Sequence, residues 1–270
     1  MVAGLGSRFT EIRDTVGPLC VGIDPSNEVL STWGLPDSAA GALEMGRAVI
    51  DAASTRIGII KPQVAFFERF GAAGFMALET VISEARRAGL AVIADAKRGD
   101  IGSTMAAYAA AWLSEGPLHS DALTASPYQG FDALEPAFDL ADSNGSTVFV
   151  LCATSNPDAA TIQGTAADGD SLPSIVASLA RARNHRGNAV GLVVGATRSL
   201  TESGLTVADI EGTLILAPGF GAQGAQLTDL DGIFGAAAHT VIPSVSRSVL
   251  GAGASGIAAA MDDHRRELGL

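Results

Sequence analysis

The chain has 270 residues, is 47% hydrophobic and 17% charged, and carries a formal net charge of -12. That composition supports a large core and argues against disorder, and an acidic chain offers neither the basic face of a nucleic-acid binder nor any attraction to anionic membranes. There is no signal-peptide pattern at the start and no apolar run of roughly 18 residues, so the cytoplasm is the expected compartment.

A short helix is expected over 7–16, ahead of the first strand. Eight apolar, β-branched runs then follow at 19–24, 57–61, 91–95, 122–126, 147–152, 189–195, 213–217 and 240–243, with helix-patterned segments such as 66–88 and 103–114 between them. Strands alternating with helices predict parallel pairing through right-handed crossovers, and runs apolar almost throughout predict strands covered on both sides. Eight such units in 270 residues predict a (β/α)8 TIM barrel spanning 1–270 as a single catalytic domain. A doubly wound open sheet is the alternative, but Gly22-Ile23-Asp24-Pro25 lacks the glycine-rich turn that such sheets carry after their first strand. Cys20 and Cys152 each fall in a strand run and read as core fillers rather than a disulfide. The irregular stretch 156–173 is either a functional loop, with Gln163 the residue able to reach a ligand, or a tolerated insertion.

Barrel chemistry sits at the C-terminal ends of the strands. The polar residues there are Asp24 after strand one, Lys61 at strand two, Asp95 and Lys97 at strand three, Thr154-Ser155-Asn156 after strand five, 218–224 after strand seven, and Ser244 to Arg247 after strand eight. Of 17 cationic residues only Lys61 and Lys97 are lysines, and both fall at expected strand ends. Arginine does not release its proton in proteins, whereas lysine can, which marks Lys97 as a candidate proton donor. Asp95, Lys97 and Asp100 form an Asp-x-Lys-x-x-Asp pattern, in which strand alternation points 95 and 97 the same way and two carboxylates flank one ammonium. A solvated ion-pair cluster is the plainer reading of the same charges. The glycines of 218–224 with Gln223 and Arg247 suit a phosphate at strands seven and eight, beside a helix beginning near Ser248, although a plain glycine turn has the same composition. His119, His185, His239 and His264 show no metal-ligand spacing and read as surface or capping residues. No cofactor motif is present, so none is expected.

Together these segments resemble the orotidine 5′-phosphate decarboxylase family, most closely its longer bacterial branch. The resemblance runs from Cys20 to Arg247 and rests on Gly22-Ile23-Asp24-Pro25, Lys61-Pro62-Gln63, Asp95-Ala96-Lys97-Arg98-Gly99-Asp100-Ile101, Thr154-Ser155-Asn156-Pro157, 218–223 and Ser246-Arg247. It implies a TIM barrel that removes carbon dioxide from a phosphorylated pyrimidine nucleotide, without a cofactor, as a homodimer. It also implies roles. Lys97 would protonate C6 and Asp95 would face the departing carboxylate. Asp100 and Thr104 would reach into the partner's site. Asp24 and Lys61 would hold ribose hydroxyls, and Ser155 the pyrimidine edge. Gln223 and Arg247 would bind the phosphate, with the loop after strand seven closing over it, and Pro218 and Ser246 would also contact the substrate. Magnesium-dependent decarboxylases of keto-sugar phosphates share the Asp-x-Lys-x-x-Asp pattern but carry a Glu at the end of strand two, where this chain has Lys61. A non-catalytic nucleotide-binding barrel is the other rival.

Overall fold

A computed structural model describes residues 7–167 and 169–270. The first six residues, on which the signal-peptide reading rests, lie outside the described residues. All eight expected strands form: β1 Cys20–Ile23, β2 Ile59–Pro62, β3 Ala91–Arg98, β4 Ala122–Ala125, β5 Thr147–Ala153, β6 Val190–Val194, β7 Ile215–Pro218 and β8 Val241–Val245. They pair in parallel in chain order, and β8 returns to β1 to close the barrel. Val, Ile, Leu and Ala dominate the strands because helices cover the outside and side chains fill the inside.

The core has two compartments. Outward-facing strand residues such as Val21, Ile60, Val92, Leu123 and Val150 pack under the helical ring. Inward-facing Cys20, Ile59, Ile93, Phe149, Leu216 and Ile242 fill the barrel interior. The helix Ser7–Thr15 has a specific part in the second compartment. Its Phe9 and Ile12 belong to the interior cluster, and Phe9 meets Phe149 edge-to-face with ring centroids 5.9 Å apart. This helix therefore packs into the barrel interior at the end opposite the polar strand ends. Gly191 makes room for Phe149: a Cβ there would lie 2.6 Å from the ring.

Two expectations need correction. The continuous helix over 66–88 is instead Val64–Glu68 followed by Gly71–Arg87, because Gly71 adopts φ 61° and breaks the first turn. The irregular 156–173 stretch has structure: a 3-10 turn Pro157–Ala159, a helical turn Ala160–Gln163 and an antiparallel pair Ala166–Ala167 with Asp170–Ser171. Ser171 then caps Leu172–Asn184 by accepting from the Ser174 N–H. Cys20 and Cys152 are buried free thiols, and burial pushes both up to about 12. Among the described residues no helix is long and apolar enough to cross a membrane.

Candidate active site

A cavity of about 300 Å³ opens at the C-terminal end of the barrel. It gathers nine of the expected residues: Asp24, Lys61, Asp95, Lys97, Ser155, Pro218, Gln223, Ser246 and Arg247. Lys61, Lys97 and Arg247 outweigh Asp24 and Asp95, so the lining is cationic in a chain of net charge -12. An anionic ligand is thereby favoured locally, and the low-dielectric walls strengthen the effect.

The centre of the site is one carboxylate held by two ammonium groups. Asp95 Oδ2 accepts from Lys61 Nζ at 2.8 Å, and Oδ1 accepts from Lys97 Nζ at 2.6 Å and from Thr124 Oγ1 at 3.0 Å. This reverses the expected arrangement, in which Asp95 and Asp100 flank Lys97. Asp100 lies off the cavity, its Oδ1 accepting from the Ile101 N–H at 2.8 Å, and exposed Thr104 is also outside the lining. Burial acts most strongly on Asp95 and opposes its charge, yet Lys61 and Lys97 together hold its pKa well below the usual carboxylate range. For Lys61, burial favours the neutral amine, but Asp95 and Asp24 outweigh it and raise the pKa above the usual lysine value. Both groups are therefore charged throughout the neutral range.

Strand alternation does not explain how Asp95 and Lys97 come to meet. The expected end of strand three at Asp95 is wrong: β3 continues to Arg98. Its register with β4 shifts between Ala94 and Arg98, so β3 advances four residues while β4 advances two, from Leu123 to Ala125. The surplus is absorbed where Lys97 turns left-handed at φ 48°. Gln63, with its amide oriented to satisfy both neighbours, donates to the Asp95 carbonyl at 2.6 Å and accepts from Lys97 Nζ at 3.2 Å. Pro62 lies within β2, paired with Ile23, and Lys61 is its penultimate residue.

The opposite wall is built from loops. Ser155 Oγ donates to Gln223 Oε1 at 3.0 Å, tying the turn after β5 to the glycine loop after β7. Gly221 sits at φ 71° above Ser248, whose Oγ would lie 2.5 Å from an added Cβ. Ser248 shares a 2.9 Å hydrogen bond with His264 Nε2, so buried His264 braces this loop from the C-terminal helix rather than lying at the surface. Arg247 is exposed and makes no ion pair or side-chain hydrogen bond among the described residues. It opens the short helix Arg247–Leu250, one residue ahead of the expected start. Ser246 Oγ donates to Asp24 Oδ2 at 2.6 Å, while Asp24 Oδ1 is buried with no hydrogen-bond partner. A buried carboxylate oxygen without a donor beside a cavity is ready to accept a ligand hydroxyl. Gln163 is outside the lining but braces it, accepting from the Thr154 N–H and donating to the Thr154 hydroxyl at 2.9 Å each.

Sequence reasoning missed Gln63 and Thr124 as site residues. Gln63 belongs to Lys61-Pro62-Gln63, and nothing in that pattern assigns it a role. The signal for Thr124 was a hydroxyl inside an otherwise apolar run, Ala122-Leu123-Thr124-Ala125.

A family model described as "Orotidine 5′-phosphate decarboxylase / HUMPS family" matches residues 17–261. An orotidine 5′-phosphate decarboxylase of Corynebacterium glutamicum (strain R) is 48% identical over 257 residues, covering 92% of this chain and 91% of the relative. The crystal structure of a candidate orotidine 5′-phosphate decarboxylase from Streptomyces avermitilis superposes with a TM-score of 0.91 at 44% identity, covering 99% of this chain and 96% of that one. The OMP decarboxylase of Leishmania donovani gives 0.81 at 32% identity, covering 98% and 97%. A match over this span, carried by close relatives as well as by the barrel, settles the lineage: the chain is a member of the orotidine 5′-phosphate decarboxylase / HUMPS family.

Proposed function

We propose that the protein converts orotidine 5′-phosphate to UMP and carbon dioxide in pyrimidine biosynthesis, working as one catalytic barrel in the cytoplasm. The observation that carries this reading is the Lys61–Asp95–Lys97 array set at one end of a cationic cavity. Loss of carbon dioxide breaks the bond between C6 and the carboxylate carbon and leaves its electron pair on C6. A fixed ammonium stabilises that developing charge and then donates its proton to the same carbon. Lys97 takes this role; its amine regains a proton from solvent after each turnover. Asp95 holds Lys97 in place and meets the substrate carboxylate with like charge, which disfavours the bound ground state. Asp24 Oδ1, lacking a donor, accepts from a ribose hydroxyl, and Lys61 donates to another. Ser155 contacts the pyrimidine edge; Gln223 and Arg247 bind the phosphate beside Pro218 and Ser246. Binding energy from the phosphate then offsets the strain at the reacting carbon.

The reading includes a homodimer with shared sites. Asp100 and Thr104 lie outside the chain's own cavity but on the segment that follows Lys97. Ile101 between them is 61% exposed and Tyr128 is 84% exposed, and the Gln129 amide joins their two segments by donating to the Gly99 carbonyl at 3.2 Å. Such an apolar surface beside a polar site suits burial against a second copy.

The test is to follow the ultraviolet absorbance of orotidine 5′-phosphate as UMP forms, with and without EDTA. Turnover unaffected by EDTA is expected, because Lys61 stands where a magnesium ligand would be needed; a folded protein without turnover ends the proposal. Mixing inactive Lys97→Ala with inactive Asp100→Ala is expected to restore part of the rate through hybrid dimers. No recovery despite subunit exchange would argue against the shared site.

A further inference from the structure

Lys97 is the only non-glycine among the described residues with a positive φ. A side chain bearing a Cβ rarely adopts that conformation unless its surroundings impose it. What imposes it lies on the next strand. The surplus residues of β3 take the Lys97 N–H out of the regular ladder with β4, which resumes where the Ser126 N–H donates to the Arg98 carbonyl at 2.8 Å. The Thr124 hydroxyl replaces the missing partner, accepting from the Lys97 N–H at 2.9 Å.

The same hydroxyl donates to Asp95 Oδ1 at 3.0 Å, and that oxygen also accepts from Lys97 Nζ at 2.6 Å. The contacts close a ring: Lys97 backbone to Thr124, Thr124 to Asp95, Asp95 to the Lys97 ammonium. A hydroxyl has one proton, a backbone amide only donates and an ionised carboxylate only accepts, so the direction of every bond in the ring is fixed. Thr124 is 1% exposed, leaving the hydroxyl little room to turn away.

We propose that Thr124 is a positioning residue for the decarboxylation, holding Lys97 in its left-handed conformation and Asp95 Oδ1 in place so that the ammonium meets the reacting carbon. This rests on the decarboxylase reading above. Thr124 acts through Lys97 and Asp95, and it touches none of the groups assigned to ribose or phosphate. Its loss therefore falls on kcat. A displacement of about 1 Å at the reacting atoms costs on the order of 10²-fold in rate.

The experiment compares wild type with Thr124→Val, which keeps the volume and removes the hydroxyl, and Thr124→Ser, which keeps the hydroxyl. Steady-state turnover of orotidine 5′-phosphate and calorimetric UMP affinity are measured for each. Expected for Thr124→Val is a kcat lower by about 10²-fold, with KM and UMP affinity within about threefold of wild type. Thr124→Ser recovers most of the rate. Should Thr124→Val not fold, Thr124→Ala removes the same hydroxyl and is expected to show the same split. Wild-type kcat in Thr124→Val overturns the inference while leaving the decarboxylase reading intact. A parallel fall in kcat and UMP affinity overturns it in favour of a structural role, as does a Thr124→Ser enzyme as slow as Thr124→Val. An inactive wild type removes the underlying reading and the inference with it.

Discussion

The two walls of the cavity are made differently. One is strand-borne and internally tied: Lys61 and Asp95 are 6% and 8% exposed, and Lys97, whose side chain reaches the open cavity, is held by Asp95, Thr124 and Gln63. The other is loop-borne and open, with exposed Arg247 making no ion pair among the described residues and a glycine loop braced from below by Ser248 and His264. The first wall satisfies its charges internally before any ligand arrives, as an environment must if it is to stabilise developing charge without reorganising. The second leaves its donors for a ligand to complete. The chemical step on the rigid wall and phosphate binding on the open one should therefore be separable by mutation.

Lys97→Ala should show the largest effect: a fall in kcat of about 10⁴-fold or more, with UMP affinity within a few-fold of wild type. Equal losses in turnover and UMP affinity would erase the distinction between the walls. Asp95→Asn probes the rigid wall through stability. It leaves Lys61 buried without its principal partner, which should cost about 3 kcal/mol at neutral pH in denaturant titrations. The sign with pH follows from the direction of the shift. The folded pKa of Asp95 lies below the ordinary 3.8, so its stabilisation is present above that value and is lost as pH falls through the folded one. Wild type and variant should thus begin to approach each other only below about pH 4 and meet near the depressed folded pKa, and a gap that widened in acid would contradict the ion-pair account.

Arg247→Ala tests the open wall and should raise KM by about 10²-fold, the loss of a charge-assisted phosphate contact. An unchanged KM would remove Arg247 from the site. The smallest effect is expected from Gly221→Ala. A left-handed φ of 71° and a Cβ placed 2.5 Å from Ser248 Oγ would displace the loop, raising KM about five- to tenfold with little change in kcat. A kcat effect larger than the KM effect would mean that this loop takes part in the chemical step.

Much of the molecule was legible from residue pattern. Eight apolar runs placed the strands to within about three residues at either end, because barrel strands buried on both faces have no polar alternation to blur them. Residues at strand ends located Asp24, Lys61, Asp95 and Lys97, since a closed parallel barrel brings all its C-terminal ends to one mouth. The scarcity of lysine singled out two of these four. The limits were equally specific. Charge order along the chain suggested one ammonium between two carboxylates; the folded site has one carboxylate between two ammonium groups. Lys61 is 34 residues from Asp95, and no local pattern encodes that pairing; the adjacency of β2 and β3 does.

The sequence by itself determined the barrel, its polar mouth and the residue types available there, because burial pattern and strand order follow from local hydrophobicity and chain connectivity. Tertiary structure alone decided how those residues are paired and aimed. The bulge in β3, the left-handed turn at Lys97 and the reach of Thr124 from β4 arise from register between neighbouring strands. Register is a relation between segments distant in sequence, and it takes effect only when both strands are in place.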